Sequence, residues 1–204
     1  MNANKLPRDF YHGDTVAIAR ELLGCVLWRK RGRELLAARI VECEAYLGAN
    51  DPASHARRGL RSPRNESMYL AGGHAYVYFT YGMHYCMNVV TQEADLAEAV
   101  LLRAAQPLRG IESMRKRRVK AKRDVDLMNG PGKLCQALEI DRALDGEPLD
   151  GSRLWLTGRD IDVAEDDIAI SSRIGVDYAG DAAAWPLRFF LHGNRYVSAY
   201  RYVR

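Results

Sequence analysis

A chain of 204 residues, 48% hydrophobic and 27% charged, has the composition of an ordinary folded protein and the length to bury a sizeable core. It holds no apolar run near the roughly 20 residues that cross a bilayer. The opening "MNANKLPRDFYHG" has no apolar signal core, so a cytoplasmic (nucleoid-associated) or nuclear location is expected, with a modest net charge of +4.

Asp14 is placed to cap a helix over "TVAIARELL" that Gly24 ends. "CVLWRK" and "ELLAARIVECEAY" flank "RGR" and predict a β-hairpin. From about Gly48 to Gly73 runs a segment rich in Pro, Gly, Ser and Arg, long for a structureless connection; such loops are usually functional or mobile. Within it "RRGLRSPR" (57–64) carries four arginines and no acid. "HAYVYFTYGMHYCMNVV" (74–90) predicts a second hairpin turning at Gly82, and "AVLLRAAQP" (99–107) a further strand. "RGIESMRKRRVKAKR" (109–123), with eight Lys or Arg against Glu112 alone, reads as helical. "GPGKLCQALEI" (130–140) predicts a helix with Pro131 in its first turn, but lacks the spacing and hydroxyl of a phosphate-cradling loop. Further strands are expected at "RLWLT", "DIAISSRI", "LRFFLH" and "RYVSAY". Strands outnumber helices and follow one another without regular crossovers. The pattern predicts one α+β domain over residues 1–204: a curved, largely antiparallel sheet flanked by helices, with a protruding hairpin.

Cys25, Cys43, Cys86 and Cys135 are widely spaced in apolar surroundings and read as free buried thiols. No zinc-ligand spacing is present, so no metal site is expected. Serine hydrolysis has no support either, because no nucleophile elbow occurs. The two basic runs are either solvated faces or contacts for a polyanion; their position beside a candidate site favours nucleic acid.

That candidate site begins on "ARIVECEAYLG". In an extended strand Glu42, Glu44 and Tyr46 share one face, while Val41, Cys43, Ala45 and Leu47 share the other. Acids on the solvent side of an edge strand would account for this. A second reading comes from Arg103, a lone charge inside the apolar "VLLRAAQ". Buried charges are costly unless paired, and an arginine bridging to a glutamate would keep that carboxylate ionised, as a general base requires. Tyr76, Tyr78, Tyr81 and Tyr85 crowd the second hairpin. They are either strand packing or rings for stacking and for wedging a duplex open. A carbohydrate glycosidase built on Glu42 and Glu44 is disfavoured, because carboxyls on one strand face cannot flank a bond.

Taken in order, "VECEAYLG…SHARRG", "RSPRN", "YVYFTYGMHYCMN", "VLLRAAQPL", "NGPGKLCQAL" and "PLRFF" closely resemble the alkyladenine (3-methyladenine) DNA glycosylase family from about Phe10 to Val197. The resemblance implies a monomeric, monofunctional enzyme without metal or organic cofactor. It would flip damaged purines (3-methyladenine, 7-methylguanine, hypoxanthine, ethenoadenine) from double-stranded DNA and hydrolyse the N-glycosidic bond, initiating base excision repair. By motif, Glu44 matches the general base and Arg103 the arginine that helps hold the attacking water. Tyr46 and Tyr78 match the rings that sandwich the base, His55 the pocket edge, Asn88 the residue that excludes normal guanine, and Val176 a pocket contact. Tyr81 matches the minor-groove wedge, and Met83, Arg61 and Arg64 are assigned with it to DNA contact. Glu42 receives no catalytic role beyond an ion pair or hydrogen bond inside the fold. The competing class is a non-catalytic nucleic-acid-binding protein.

Overall fold

A computed structural model describes residues 4–198. The first helix, α1 (Thr15–Glu21), starts where Asp14 accepts the Ala17 N–H at 2.7 Å, the expected cap. Strands β1 (Cys25–Arg31) and β2 (Glu34–Tyr46) form the first hairpin. β3 (Ala75–Thr80) and β4 (His84–Thr91) form the second, followed by β5 (Glu98–Arg109), α2 (Ile111–Arg117) and α3 (Pro131–Leu138). β6 (Leu154–Arg159), β7 (Ile168–Ser171) and β8 (Arg188–Leu191) complete an eight-stranded antiparallel sheet. Its main path runs β3-β4-β5-β2-β1-β6, with β8 joining β2 to β7.

The sheet has two unlike faces. On one, Val41, Cys43, Ala45, Leu102 and Ala104 pack with Ile18 of α1 and Leu22 just after it, Met114 of α2, and Leu134 and Leu138 of α3 in one buried cluster. On the other, Tyr46, Tyr76 and Tyr78 meet Ala56, Met68 and Tyr69 from the 48–73 segment, while Ala53, Val176, Ala179 and Ala182 form a third cluster under Tyr46. Hydrophobic burial therefore fixes the helices on one side and two long irregular segments on the other.

Several sequence expectations change. β2 is no edge strand: at Glu42–Glu44 it lies between β5 and β8, and both carboxylates are completely buried. The 48–73 segment is built of short 3-10 turns and buries Ala53, Ser54, Ala56, Asn65 and Met68, so it forms a packed wall rather than a free loop. The basic run is helical only to Arg117, and "DIAISSRI" pairs only over Ile168–Ser171. "RYVSAY" forms no strand across 195–198, and residues 199–200 lie outside the described residues. There the Ser198 N–H donates to Glu42 Oε2 at 2.7 Å, so a carboxylate takes the donor a strand ladder would have used. All four cysteines are free and buried, as expected.

Candidate active site

Two compensating bulges aim the charged side chains. Between the pairs Ile40↔Ala105 and Glu42↔Ala104 β2 carries the extra residue Val41. Between Glu42↔Ala104 and Cys43↔Leu102 β5 carries the extra residue Arg103. A bulged residue is freed from the ladder and its side chain re-aimed. The Arg103 guanidinium reaches both acids, with Nε 3.1 Å from Glu42 Oε1 and Nη1 3.3 Å from Glu44 Oε2. The shared face and the arginine link expected from sequence are both present.

Glu44 is held on all sides. Its Oε2 also accepts the Tyr46 hydroxyl at 2.9 Å, and its Oε1 accepts the Ile174 N–H at 2.7 Å. Burial pushes the carboxyl above the ordinary glutamate range, while Arg103, the Ile174 N–H and the Tyr46 hydroxyl pull it back. For Arg103 burial works against the charge, and Glu44 and then Glu42 more than offset it. Glu42 binds Arg188 Nε at 2.7 Å and both the N–H and hydroxyl of Ser198, the structural role expected of it. Arg173 donates to both Asp51 oxygens and lies 4.7 Å from the Tyr46 ring centroid. Among the described residues the buried charged side chains are Glu42, Glu44 and Asp51 against Arg103, Arg173 and Arg188. The formal charges cancel, which is how six costly ions are tolerated in one interior.

Above this network lies a cavity of about 220 Å³, lined by Tyr46, His55, Tyr78, Asn88, Arg103 and Val176 among others. Glu44 has no exposed surface of its own; Tyr46 and Arg103, both bonded to it, line the cavity. His55 packs edge-on against Tyr78, with ring centroids 4.5 Å apart, and its Nδ1 lies 2.8 Å from the Tyr76 hydroxyl. Burial, with Arg64 and Arg57 nearby, lowers its pKa to about 4, so the ring is neutral at physiological pH. Asn88 Nδ2 donates to the Tyr76 carbonyl at 3.1 Å, which fixes the amide at the wall. Burial holds the Tyr46 and Tyr78 phenols well above their ordinary range, so both rings enter as neutral tyrosines.

The hairpin tip stands at the cavity mouth. The Met83 N–H donates to the Thr80 carbonyl at 3.2 Å, closing a turn that holds Tyr81 and Gly82 at positive φ. A tyrosine in that region is uncommon, and its ring is 81% exposed while lining the mouth. Met83 is also exposed but lines a separate groove with His84 and Tyr85. Arg64 reaches the Phe79 carbonyl near the tip. Arg61 is not brought to the cavity: it pairs with Glu66 and Asp95 and covers the Tyr69 ring. Most arginines of the second basic run are likewise matched internally, Arg115 by Glu112 and Asp124, Arg117 by Glu34 and Glu139, Arg123 by Asp126.

Four residues around the site were not singled out from the sequence. Ile174 acts through its backbone and leaves no side-chain signal. Arg173, over the Tyr46 ring, pairs with Asp51 across 122 residues of chain. Tyr178 lines the cavity from the segment that follows Val176.

A family model described as methylpurine-DNA glycosylase (MPG) matches residues 9–195. Relatives include a protein of Bdellovibrio bacteriovorus, 47% identical over 195 residues, covering 95% of this chain and 98% of the relative. One from Carboxydothermus hydrogenoformans is 48% identical over 193 residues with the same coverage. One from Methanocella arvoryzae is 46% identical over 194 residues, covering 95% of each chain. All three carry the provisional name 3-methyladenine DNA glycosylase.

Proposed function

The chain belongs to the methylpurine-DNA glycosylase family, and from that premise we propose a 3-methyladenine DNA glycosylase of base excision repair, acting as a monomer with Glu44 as its general base. The observation that carries the reading is a fully buried glutamate, bonded by Arg103, Tyr46 and the Ile174 N–H, beneath a cavity walled by tyrosines.

The chemistry follows from the geometry. Extruding a nucleotide costs a few kcal/mol, least for damaged or mispaired bases. Tyr81, entering the vacated stack, offsets part of that cost, since base–aromatic stacking is worth roughly 1–3 kcal/mol. The faces of Tyr46 and Tyr78 attract the positive charge of alkylated purines such as 3-methyladenine and 7-methylguanine. As the C1′–N bond breaks, its electron pair leaves with the base and the sugar becomes cationic. The ionised Glu44 stabilises that cation and takes a proton from the water that adds to C1′. Glu44 Oε1, which accepts from Ile174 alone among the described side-chain and backbone partners, keeps acceptor capacity for that proton. A cationic base departs as a neutral molecule. Hypoxanthine and ethenoadenine, neutral before cleavage, use the same slot and take up a proton as they leave, with Asn88 at the wall to reject guanine.

A non-catalytic DNA binder would need the aromatic and basic surface but not four buried ion pairs under it, each of which must overcome desolvation. Incubation with alkylated duplex separates the two: appearance of free 3-methyladenine supports the enzyme, and tight binding without base release sinks it.

Two further results are expected. Glu44 works ionised and its pKa is raised, so activity disappears as pH falls through a value above that of an ordinary glutamate, about 4.3. The Tyr46 hydroxyl is one of the groups lowering that pKa. In Tyr46→Phe the acid limb of the kcat/KM profile should therefore move to higher pH while the ring still stacks; an unmoved limb would detach the hydroxyl from Glu44. Separately, Tyr81→Ser should weaken binding to a lesion duplex by about 1–3 kcal/mol without lowering the unfolding temperature, because the ring is exposed. Equal binding by the two proteins would remove Tyr81 from the wedge role.

A further inference from the structure

Tyr178 is 63% exposed and belongs to none of the buried clusters. It lies just after Val176, in the turn region Asp177–Ala184. Its hydroxyl donates to the Ala53 carbonyl at 2.9 Å, so one end of the side chain is tied down while the ring faces solvent. It lines the same cavity mouth as Tyr81, yet comes from a part of the chain more than 90 residues away. Burial raises its phenol pKa, and the charge of exposed Arg57, near enough to act on it, pulls the other way. An anchored, exposed ring beside a cation, at the rim of the slot, is a surface suited to a sugar–base unit with its phosphate.

We propose that Tyr178 is a second duplex-contacting ring: it packs on the nucleotide flanking the extruded one, across the mouth from Tyr81. The assignment rests on the glycosylase reading above and adds to it a determinant of duplex affinity. Anchoring by the Ala53 carbonyl means little side-chain freedom is lost on binding. The ring lies at the mouth rather than against Glu44, so it affects capture of the duplex and not the bond-breaking step.

The alternative role, pinning the Ala53 loop through the hydroxyl alone, predicts a different pattern. The test compares Tyr178→Ser and Tyr178→Phe with the wild type. Binding is measured to a duplex containing a tetrahydrofuran abasic analogue, which cannot be turned over. Single-turnover release of hypoxanthine is measured at saturating enzyme. Tyr178→Ser should bind about tenfold more weakly, with an unchanged maximal excision rate and unfolding temperature. Tyr178→Phe should bind within about twofold of wild type, because the stacking face remains. Wild-type affinity in Tyr178→Ser, an equal loss in Tyr178→Phe, or a fall in maximal rate alongside binding would each overturn the proposal. Failure of the wild type to release any base would instead defeat the glycosylase reading, and the binding comparison would still decide the role of Tyr178.

Discussion

Glu44→Gln is expected to bind a lesion-containing duplex as the wild type does and to excise the base about 10²–10⁴-fold more slowly, the range for loss of a positioned general base. Shape is nearly conserved, but the amide cannot satisfy the site. Glu44 faces donors on both oxygens: Tyr46 and Arg103 on Oε2, the Ile174 N–H on Oε1. A glutamine must turn its NH₂ towards one side. Facing Oε2's partners it meets Arg103, although the Tyr46 hydroxyl can rotate to accept; facing Ile174 it meets a backbone N–H. Either way one donor loses its acceptor inside the protein, at about 1–3 kcal/mol. The variant should therefore be folded, slightly less stable, and almost inactive. The buried network also gains a net positive charge, so no carboxylate at position 44 remains to oppose the cationic sugar. Single-turnover excision and equilibrium binding on one ethenoadenine duplex check the claim. Excision within a few-fold of wild type would remove Glu44 from its role.

Local rules accounted for much of the architecture. Asp14 as a cap, the two hairpins, Pro131 at a helix start and the parity of Glu42, Glu44 and Tyr46 all follow from contacts within a few residues. What escaped depends on tertiary pairing. The extra residues Val41 and Arg103 exist only relative to the register of β2 against β5, which no single strand encodes. Glu42 finds Arg188 and Ser198 at separations of 146 and 156 residues, so its burial could not be weighed from β2 alone. "RYVSAY" has the alternation of a strand, but Tyr196 is buried in the core cluster and the Ser198 N–H is spent on Glu42. The basic run suggested a polyanion surface by charge count. Folding matches Arg115, Arg117 and Arg123 to nearby acids, and charge counts do not show pairing. The cavity itself needed segments as far apart as Tyr46 and Val176, and sequence supplied only its wall residues.

Arg103→Met should be the most destabilising single change at the site, by about 3–5 kcal/mol, the cost of leaving buried charges unpaired. Methionine fills much of the volume, so packing is not the main loss. Glu42 keeps Arg188 and Ser198, and Glu44 keeps Ile174 and Tyr46, but the two carboxylates now share one strand face with no cation between them. Glu42 then disfavours ionisation of Glu44 unopposed, which adds to the burial already raising the Glu44 pKa. A folded-state pKa above the unfolded one means the native state holds more protons between the two values, so stability falls as pH rises through that window. The variant's deficit should therefore be largest at neutral pH and shrink in mild acid, as Glu44 takes up its proton. Arg103→Lys keeps a charge but not the fork that reaches both acids, and should fall between methionine and wild type. Urea unfolding of the three proteins at neutral and mildly acidic pH measures this. A methionine variant that loses less than about 1 kcal/mol, the scale of an exposed pair, would show that Arg103 does not hold the two acids together. So would a deficit independent of pH, because the coupling between Arg103 and the two buried carboxylates is what makes it vary.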